Sequence, residues 1–347
     1  MSLYAVLADI HGNYDALQAV VEDALQVSRE EGDGCVRFVF LGDAVDTGPQ
    51  PQECLDWVCA NALAVVHGNH DRAVARAYDT HPPGGVHAYW LPTVIWTRRV
   101  LGGASRLREW PGLWEAPSEL PTFTLMHGGL VDPDMYLTGR DQAHESMAGL
   151  RTRYGVYGHT HYQACWFEHG GGIGMGVPGL DGGHRGAEED LVGVPLGSWF
   201  PLPADGLGAL LNPGSVGLVR HNPELARSGI GFKPHAAYAL LRNSDGEGIE
   251  AQFRHVDYDI EETIRRLRDV RWPADDSSSS VAAAIDLLRR GVASHIGRGL
   301  SFPHTGWHSR VSAQVSERPS TLTGVLQDLI ETSIIPSLRS GKMVMPD

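Results

Sequence analysis

Cysteine is scarce in this sequence, and so are the features that would mark a secreted scaffold or a membrane protein. The 347 residues include four cysteines, at positions 35, 54, 59 and 165, and none has Cys-x-x-Cys spacing. This pattern excludes a dense disulfide framework and predicts four buried free thiols. No apolar run is long enough to cross a bilayer, so we expect no membrane partner. No internal repeat is present, which excludes a solenoid.

Positive charge is also in short supply. The chain has 42 acidic residues against 28 lysines and arginines, for a net charge of -14. Binding to duplex nucleic acid depends on clustered Lys and Arg, so we expect no such partner. A small phosphorylated substrate is compatible with this charge, because two divalent cations can make one positive pocket on an acidic surface. The first polar motif begins at residue 9, which leaves no room for a cleavable signal peptide, and we expect a cytoplasmic protein.

Six short polar motifs follow one another along the chain, and five of them come directly after apolar, strand-like runs. They are Asp9-Ile10-His11, Gly42-Asp43-Ala44-Val45-Asp46, Gly68-Asn69-His70-Asp71, His127-Gly128, Gly158-His159-Thr160-His161 and Asn212-Pro213-Gly214-Ser215. The first five supply carboxylates, an amide oxygen and imidazoles. These ligands suit divalent manganese, iron, nickel, cobalt, magnesium or zinc better than soft metals.

The apolar runs alternate with helical patterns, which is typical of an α/β sheet with parallel strand pairs. The runs cover residues 3–8, 36–41, 62–66, 123–126 and 154–157, and a helical spacing of apolar residues extends from 14 to about 28. Each of the first five motifs therefore follows the carboxyl end of a predicted strand, where open α/β sheets gather their ligands. Residues more than a hundred positions apart can converge there.

The pattern predicts a catalytic domain over residues 1–291 and a helical C-terminal extension over 292–347. Within the domain, residues 79–121 read as a cap-like insert, with a helix near 93–109, and the Gly-rich residues 168–200 as a mobile loop. The last strand is expected at 238–241, with helices after it. The apolar stripe of the extension must be buried on the catalytic domain or on a second subunit, and of the two we expect a homodimer formed through it.

Two groups of aromatic side chains lie outside the motifs. Packing of a cap over the sheet is the favoured role of the tryptophans, with stacking against a nucleobase or aryl leaving group as the alternative; they are Trp90, Trp96, Trp110 and Trp114. Several histidines fit no ligand spacing and are predicted to be surface or loop residues; they are His81, His87, His169, His184, His235 and His255.

The motifs resemble those of the calcineurin-like metallophosphoesterase superfamily, and within it the small bacterial phosphodiesterase-like branch. The resemblance covers about residues 3–291 and implies an α/β fold, a two-sheet β-sandwich flanked by helices in four layers. It also implies two divalent metal ions, with Mn²⁺ expected. The ligands to the first would be Asp9, His11 and His161, those to the second Asn69, His127 and His159, with Asp43 bridging both. A carboxylate has two oxygens and can span ions roughly 3.5–4 Å apart.

The same resemblance implies catalytic roles. His70 would face the phosphate, with Asp46 as its carboxylate partner and Asp71 as a weaker candidate. The implied mechanism is in-line attack by a metal-bridging hydroxide. Arg220 could clamp a phosphate, and a surface ion pair is the equally weighted alternative. The Asn212-Pro213-Gly214-Ser215 motif is expected to be a structural turn beneath the metals.

These features favour a metal-dependent phosphoric ester hydrolase, a phosphodiesterase acting on a small or nucleotide-like substrate. The alternatives are a phosphomonoesterase and a dinucleoside-polyphosphate hydrolase. Thr47 stands where relatives of the serine/threonine protein phosphatase branch carry an Arg, which disfavours a protein phosphatase. A non-catalytic interaction scaffold on the same fold is less favoured, because every predicted ligand position is filled.

Overall fold

The computed structural model describes residues 3–32, 35–76, 91–115, 123–180, 191–203, 205–243, 248–272 and 277–291. The predicted extension 292–347 lies outside the described residues. The strands are β1 (Leu3–Leu7), β2 (Val36–Phe40), β3 (Ala62–Val65), β4 (Leu113–Glu115), β5 (Phe123–Met126), β6 (Tyr154–Val156), β7 (Gln163–His169), β8 (Gly172–Pro178), β9 (Leu191–Val194), β10 (Phe200–Pro201), β11 (Ala209–Pro213), β12 (Ala236–Asn243) and β13 (Ile249–Val256). The helices are α1 (Tyr14–Glu30), α2 (Pro51–Asn61), α3 (Asn69–Arg76), α4 (Leu91–Val100), α5 (Arg140–Gly149), α6 (Pro223–Arg227), α7 (Ile260–Asp269) and α8 (Ser277–Arg290).

The strands form two mixed sheets. The first has the order β10-β13-β12-β1-β2-β3, in which β1, β2 and β3 are parallel and β12 and β13 run antiparallel. The second has the order β4-β5-β6-β11-β7-β8-β9, with β5, β6 and β11 parallel at its centre. The strands that precede the five ligand motifs therefore lie in the parallel parts of the two sheets.

Strand β1 shows why these strands are apolar throughout. Its alternate residues point to opposite faces of the sheet. Leu3, Ala5 and Leu7 pack in the core between the first sheet and helices α1, α2 and α3. Tyr4 and Val6 pack in the core shared with the second sheet. Both faces are buried, so the strand reads as a continuous apolar run rather than an alternating one.

The hydrophobic cores define four layers. One core joins α1–α3 to the first sheet, a second lies between the sheets, and a third packs α5 against the outer face of the second sheet. The predicted α/β sandwich of two sheets flanked by helices is confirmed. None of the helices in the described ranges is long and apolar enough to cross a membrane.

The expectation of a mobile loop over residues 168–200 is wrong for its described parts. Strand β8 pairs antiparallel with β7 and parallel with β9, and β10 pairs with β13. Ile173, Met175 and Val177 point from β8 into the third core, between glycines. A glycine-rich composition hid a two-residue alternation that is typical of a strand. Residues 181–190 lie outside the described residues.

Two further expectations need correction. The strand at 238–241 is not the last, because β13 follows it and pairs with β12 along its whole length. The thiols are all free, but Cys35 and Cys59 are exposed whereas Cys54 and Cys165 are buried. Cys59 lies near the end of α2 on the face turned away from the core, which its five-residue spacing from Cys54 allows.

The described part of the predicted insert joins the main fold. The helix expected near 93–109 ends at Val100, because the following Gly102 and Gly103 adopt positive φ, and a 3-10 turn covers Ser105–Glu109. Leu107 packs in the core of the first helical layer, and Trp110 contacts Phe40. The Trp96 and Trp272 rings are in contact at 4.6 Å between centroids, with 50° between their planes. Trp90, and the side chain of Trp114, lie outside the described residues.

Candidate metal centre

All five ligand motifs meet at one edge of the sandwich, as the strand ends predict. Asp9 and His11 follow β1, and Asp43 follows β2. Asn69 begins α3 after β3, His127 follows β5, and His159 and His161 follow β6. All seven side chains are deeply enclosed, with an exposed fraction of 5% or less: Asp9, His11, Asp43, Asn69, His127, His159 and His161. Buried carboxylates and imidazoles at one point require partners or cations.

The backbone at these positions is strained. Most residues with a side chain avoid positive φ, yet seven of the eight non-glycine residues with positive φ in the described ranges lie at or beside the site. They are Asp9, His11, Asp43, Asp46, Thr47, His159 and His161. Such strain persists only where surrounding structure holds it in place, and it concentrates at functional sites.

Backbone hydrogen bonds hold the strained turns together. The N–H of Asp9 donates to Gly42 O at 2.9 Å, and the N–H of His11 donates to Asp43 O at 2.9 Å. Close approach requires glycine at some neighbours: a Cβ at Gly68 would stand 1.9 Å from Asp43 Oδ1. The chain after β1 is therefore locked against the chain after β2.

A first ligand group is formed by Asp9, His11, Asp43 and His161, whose candidate ligand atoms all lie within 4.8 Å of one another. His11 Nε2 is 3.2 Å from His161 Nε2, and His161 Nε2 is 3.5 Å from Asp9 Oδ1. The Nδ1–H of His161 donates to Leu218 O at 2.7 Å. Its Nε2 therefore keeps a lone pair directed at His11.

A second group is formed by Asp43, His127 and His159, with the same 4.8 Å limit. Asn69 joins it, since its Oδ1 lies 3.0 Å from His127 Nε2. The Nδ1–H of His127 donates to Leu41 O at 2.8 Å, which leaves Nε2 facing Asn69 and Asp43. The Nε2–H of His159 donates to Asp134 O at 3.1 Å, so Nδ1 carries its lone pair.

Asp43 belongs to both groups through one oxygen. Its Oδ2 lies 3.7 Å from His11 Nε2 and 3.2 Å from His127 Nε2, while Oδ1 accepts a hydrogen bond from the His70 N–H at 2.9 Å. Oδ2 is thus the oxygen that approaches both groups, and the bridging role of Asp43 stays a prediction. Among the described residues this buried Oδ2 makes no well-aligned hydrogen bond, and His127 Nε2 at 3.2 Å attracts it electrostatically.

Electrostatics prepare the imidazoles for a cation. Burial, the largest cause, lowers the pKa values of His11, His159 and His161 well below the usual range, so these rings are neutral, as ligands must be. His127 differs: burial acts downward, but the Asp43 carboxylate outweighs it and raises the pKa of His127 to about 9. Burial raises the pKa of Asp9 to about 7, with a further contribution from Asp43.

The donor set fits divalent metal ions. Two nitrogen ligands at about 2.1 Å from one ion, at right angles, lie about 3 Å apart. The 3.2 Å between His11 Nε2 and His161 Nε2 matches that spacing, and neither atom has a better partner. The unsatisfied Oδ2 of Asp43 lies where both groups meet. The buried His/Asp cluster can hold divalent metal, as the sequence predicts, and the identity of the metal stays a prediction.

His70 and Asp46 lie beside this cluster. His70 Nδ1 is 2.5 Å from Asp46 Oδ2, and the His70 ring meets the His11 ring edge-on at 4.8 Å. Burial lowers the pKa of His70, but the Asp43 carboxylate and the hydrogen bond with Asp46 outweigh it and raise the pKa above its usual value. The geometry places His70 with Asp46 and not with Asp71; the catalytic role of this pair stays a prediction.

Asp71 has a different position from the one considered in the sequence. Its buried carboxylate accepts hydrogen bonds from the backbone N–H groups of Asp43 at 2.7 Å, Ala44 at 3.0 Å and Gly68 at 3.0 Å. It thus connects the turn that carries Asp43 to the turn that precedes Asn69. A carboxylate that accepts several backbone donors fixes a loop without further partners.

The Asn212–Ser215 motif lies beneath the centre, as predicted. Asn212 Nδ2 donates to Gly158 O at 2.7 Å and to Thr160 Oγ1 at 3.0 Å. Ser215 Oγ donates to Asp9 O at 2.8 Å. These bonds hold the loops that carry Asp9, His159 and His161.

Arg220 lies at the rim. Its backbone N–H donates to His161 O at 2.9 Å, and its guanidinium lies 5.9 Å from the centre of the Tyr136 ring. The cation contributes to the low pKa of His161, after burial. Among the described residues no carboxylate pairs with Arg220, so the surface ion pair considered for it is not found in that part of the chain.

Three residues at the centre were missed in the sequence. Tyr136 stacks on the His159 ring with 3.9 Å between centroids, and Arg72 forms an ion pair with Asp134. The only local signal was Asp132-Pro133-Asp134, a turn-forming sequence shortly after His127. His81, His87 and His184 lie outside the described residues, and His169 is exposed, as expected. His255 also reaches solvent, but its ring stacks on His235 at 3.7 Å between centroids and its Nε2 lies 2.9 Å from Gln163 Oε1, so part of the ring is enclosed.

Known proteins give an independent view of the chain. Residues 3–163 match the model of the calcineurin-like phosphoesterase family. An uncharacterized protein of Methanocaldococcus jannaschii is 34% identical over 101 residues, which are 29% of this chain and 37% of that protein. The asymmetrical bis(5'-nucleosyl)-tetraphosphatase PrpE of Bacillus velezensis is 29% identical over 140 residues, 36% of this chain and 53% of that protein. The matches thus span about a third to a half of these relatives.

Solved structures extend the comparison beyond the matched residues. A metallophosphoesterase of Sphaerobacter thermophilus shares 23% identity, with a TM-score of 0.58, over 84% of this chain and 99% of that one. A hypothetical protein of Pyrococcus horikoshii shares 19% identity, with a TM-score of 0.56, over the same shares. Both likenesses show a common fold. Residues 3–163 thus match the calcineurin-like phosphoesterase family, and the chain shares the fold of these two solved structures.

Proposed function

We propose that the chain is a bimetallic phosphoesterase that cleaves a phosphodiester bond in a small or nucleotide-like substrate. The observation that carries the proposal is the pair of buried ligand groups that share Asp43 Oδ2. A scaffold would not need seven enclosed ligand side chains, strained backbone and an unsatisfied shared oxygen.

The residues assigned to each ion follow the two groups. Asp9, His11 and His161 would hold the first ion, and Asn69, His127 and His159 the second, with Asp43 common to both. Two divalent ions supply Lewis acidity and activated water to phosphoester hydrolysis. Mn²⁺ is the proposed metal, because carboxylate, amide and imidazole ligands together suit it. Two carboxylates against two divalent ions leave net positive charge for a phosphate.

His70 is proposed to donate to the phosphate. The Asp43 carboxylate and the hydrogen bond with Asp46 raise its pKa above the usual value despite burial, so they stabilise the protonated form. Asp46 accepts from Nδ1 and leaves the Nε2–H as the donor for a phosphoryl oxygen or the leaving oxygen. Asp46 is thus a positioning residue that fixes the ring and supports its charge.

Arg220 is proposed to bind the non-bridging phosphate oxygens. It lies at the rim of the centre, and its cation is not neutralised by a described carboxylate. A guanidinium in such a place can make two parallel hydrogen bonds to a phosphate. Thr47 is buried at 2% exposure beside the site and leaves no long cation there. This distribution favours a small substrate over a phosphoprotein.

A second candidate substrate is a dinucleoside polyphosphate. The observation that favours it is the partial likeness to the PrpE tetraphosphatase, 29% identical over 140 residues. A dinucleoside polyphosphate also presents a diester-like phosphorus to the metals, so the same residues would serve. Phosphomonoesters are the third class of substrate to be tested.

The test is hydrolysis by metal-stripped protein reconstituted with Mn²⁺. An aryl phosphodiester, the matching monoester and a dinucleoside tetraphosphate are compared in wild type and in Asp43→Asn. Arg106→Ala is the control, since Arg106 pairs with Asp56 on the exposed surface. We expect metal-dependent diester cleavage in wild type and in the control, a loss of at least 100-fold in Asp43→Asn, and one oxygen-18 label from water in the phosphate product.

Each other outcome changes the proposal in a defined way. Faster cleavage of the tetraphosphate than of the diester would replace the diesterase proposal by the second candidate. Monoester cleavage as the dominant activity would make the chain a phosphatase. No hydrolysis of any of the three by protein that has bound two ions would contradict catalysis on this class of substrate.

A further inference from the structure

Residues 132–136 form a short turn that folds back over the metal centre, and we call it the strap. Asp132 shapes it: its Oδ1 accepts from the Asp134 N–H at 2.9 Å, and its carbonyl accepts from the Met135 N–H at 3.1 Å. The strap returns onto Gly128, where an added Cβ would stand 2.5 Å from Pro133 O. The glycine after His127 therefore allows the strap to close against the end of β5.

The strap makes two contacts with the same ring. The carbonyl of Asp134 accepts a hydrogen bond from His159 Nε2 at 3.1 Å. Tyr136 stacks on the His159 ring at 3.9 Å between centroids, with 26° between the planes. The hydrogen bond fixes which nitrogen of His159 carries the proton, and the stack fixes the plane of the ring.

Arg72 anchors the strap from another element. Its guanidinium pairs with the Asp134 side chain, and its side chain is only 14% exposed. Arg72 lies on α3, the helix that also carries Asn69 and His70. The ion pair thus joins the helix that supplies one side of the second ligand group to the strap that holds His159.

We propose that the strap is a positioning device for the second metal site: Arg72 holds Asp134 in place, and Asp134 and Tyr136 together orient His159 so that Nδ1 faces the ion. The inference rests on the proposed function, since it assigns His159 to a metal. It concerns only the second ligand group, because within the described residues the strap contacts His159 and not His11 or His161. The strap residues touch no substrate in this scheme.

The experiment measures metal binding directly. Metal-free wild type, Tyr136→Ala, Tyr136→Phe, Arg72→Ala and the surface control Arg106→Ala are titrated with Mn²⁺ by calorimetry, and Co²⁺ absorption reports ligand geometry. Removing groups that orient a metal-binding histidine typically weakens metal binding 10- to 100-fold. We expect one of two binding steps to weaken by that factor in Tyr136→Ala and Arg72→Ala, with the other step unchanged. Tyr136→Phe keeps the ring and should bind as wild type does.

A charge exchange tests the anchor itself. Arg72→Asp combined with Asp134→Arg should recover at least part of the affinity that each single variant loses, because the ion pair is restored with reversed sign. Thermal unfolding of the metal-free variants shows that the fold is kept. Equal weakening of both steps, or no weakening of either, would overturn the inference. Wild type that binds fewer than two ions would instead contradict the bimetallic proposal, so the two failures are distinguishable.

Discussion

One methyl group at Gly68 should disable the metal centre. Gly68 precedes Asn69, and a Cβ at this position would stand 1.9 Å from Asp43 Oδ1, 2.5 Å from its Cγ and 2.6 Å from its backbone nitrogen. Contacts between heavy atoms are ordinarily about 3.5–4.0 Å. The φ of Gly68 lies outside the left-handed region, so the clash is the sole cost of alanine.

The size of the effect follows from the required movement. The carboxylate of Asp43 must retreat by about 1.5 Å to reach an ordinary contact. Metal–ligand distances tolerate about 0.2 Å, so the shared Oδ2 would leave both ligand groups together. A misplacement of about 1 Å at a catalytic group can cost about 100-fold in rate, equivalent to about 2.7 kcal/mol.

The assay compares Gly68→Ala with Gly172→Ala, a matched control. Gly172 lies in β8, and an added Cβ there has nothing within 4 Å. We expect Gly68→Ala to lose at least 100-fold in kcat/KM on an aryl phosphodiester and to bind fewer than two Mn²⁺ ions, with near-UV circular dichroism unchanged. Gly172→Ala should stay within twofold of wild type. Two tightly bound ions and a rate within threefold of wild type in Gly68→Ala would refute the steric reasoning.

Three further outcomes can be measured. Asp71→Ala removes the acceptor of four backbone N–H groups, the longest bond being that from Val45 at 3.4 Å. Since each unsatisfied buried group costs about 1–3 kcal/mol, urea unfolding should show a loss of at least about 3 kcal/mol. A loss below about 1 kcal/mol would contradict the role of Asp71 as a loop anchor. Burial, His235 and Lys233 lower the pKa of His255 to about 3, so only the unfolded chain takes up this proton between about pH 6.5 and pH 3. The stability that His255 contributes is complete above that pH window and is lost as the pH falls through it. Between pH 7 and pH 5, His255→Gln should therefore lose less stability than wild type, and the difference should be smaller than the full one-proton slope because the ring reaches solvent. Identical pH profiles of the free energy of unfolding would exclude the effect. Chelation should lower the melting temperature, because only the folded chain assembles the ligand set, and an unchanged melting temperature would mean that no ion is bound at rest.

The sequence placed the candidate ligands because their positions depend on local signals. An apolar run buried on both faces, as in β1, is visible in the sequence, and the residue after it must lie at the sheet edge. Parallel strands then gather their carboxyl ends without further information. The convergence of Asp9, Asp43 and His161 needed nothing beyond this rule.

Strand β8 shows where composition misled. Gly172, Gly174 and Gly176 alternate with buried apolar residues, and glycine is depleted in strands in general. Gly176 is required because β9 leaves no room for a side chain there: a Cβ on Gly176 would stand 2.9 Å from Val194 Cγ1. The glycines admit a close neighbour rather than a loop, and that neighbour is known only from the fold.

The strap could not have been predicted from local pattern. Arg72 and Asp134 are 62 residues apart, and their pairing depends on how α3 lies beside the end of β5. The hydrogen bond from His159 is accepted by a backbone carbonyl, which every residue type has, so the sequence gives no signal for it. Contacts of this kind appear only when the three-dimensional arrangement is known.

Backbone strain at the centre points to the same conclusion as the ligand geometry. A left-handed conformation costs about 1–2 kcal/mol for a residue with a side chain, and glycine would adopt it freely. Asp9, His11, Asp43, His159 and His161 all have φ between 50 and 67°. Five such residues in place of glycine make little sense for stability alone. The strain is consistent with positions where the side chain is required for binding and the turn is required to direct it. The turns are held in place by the hydrogen bond that Asp71 accepts and by those that Asn212 and Ser215 donate.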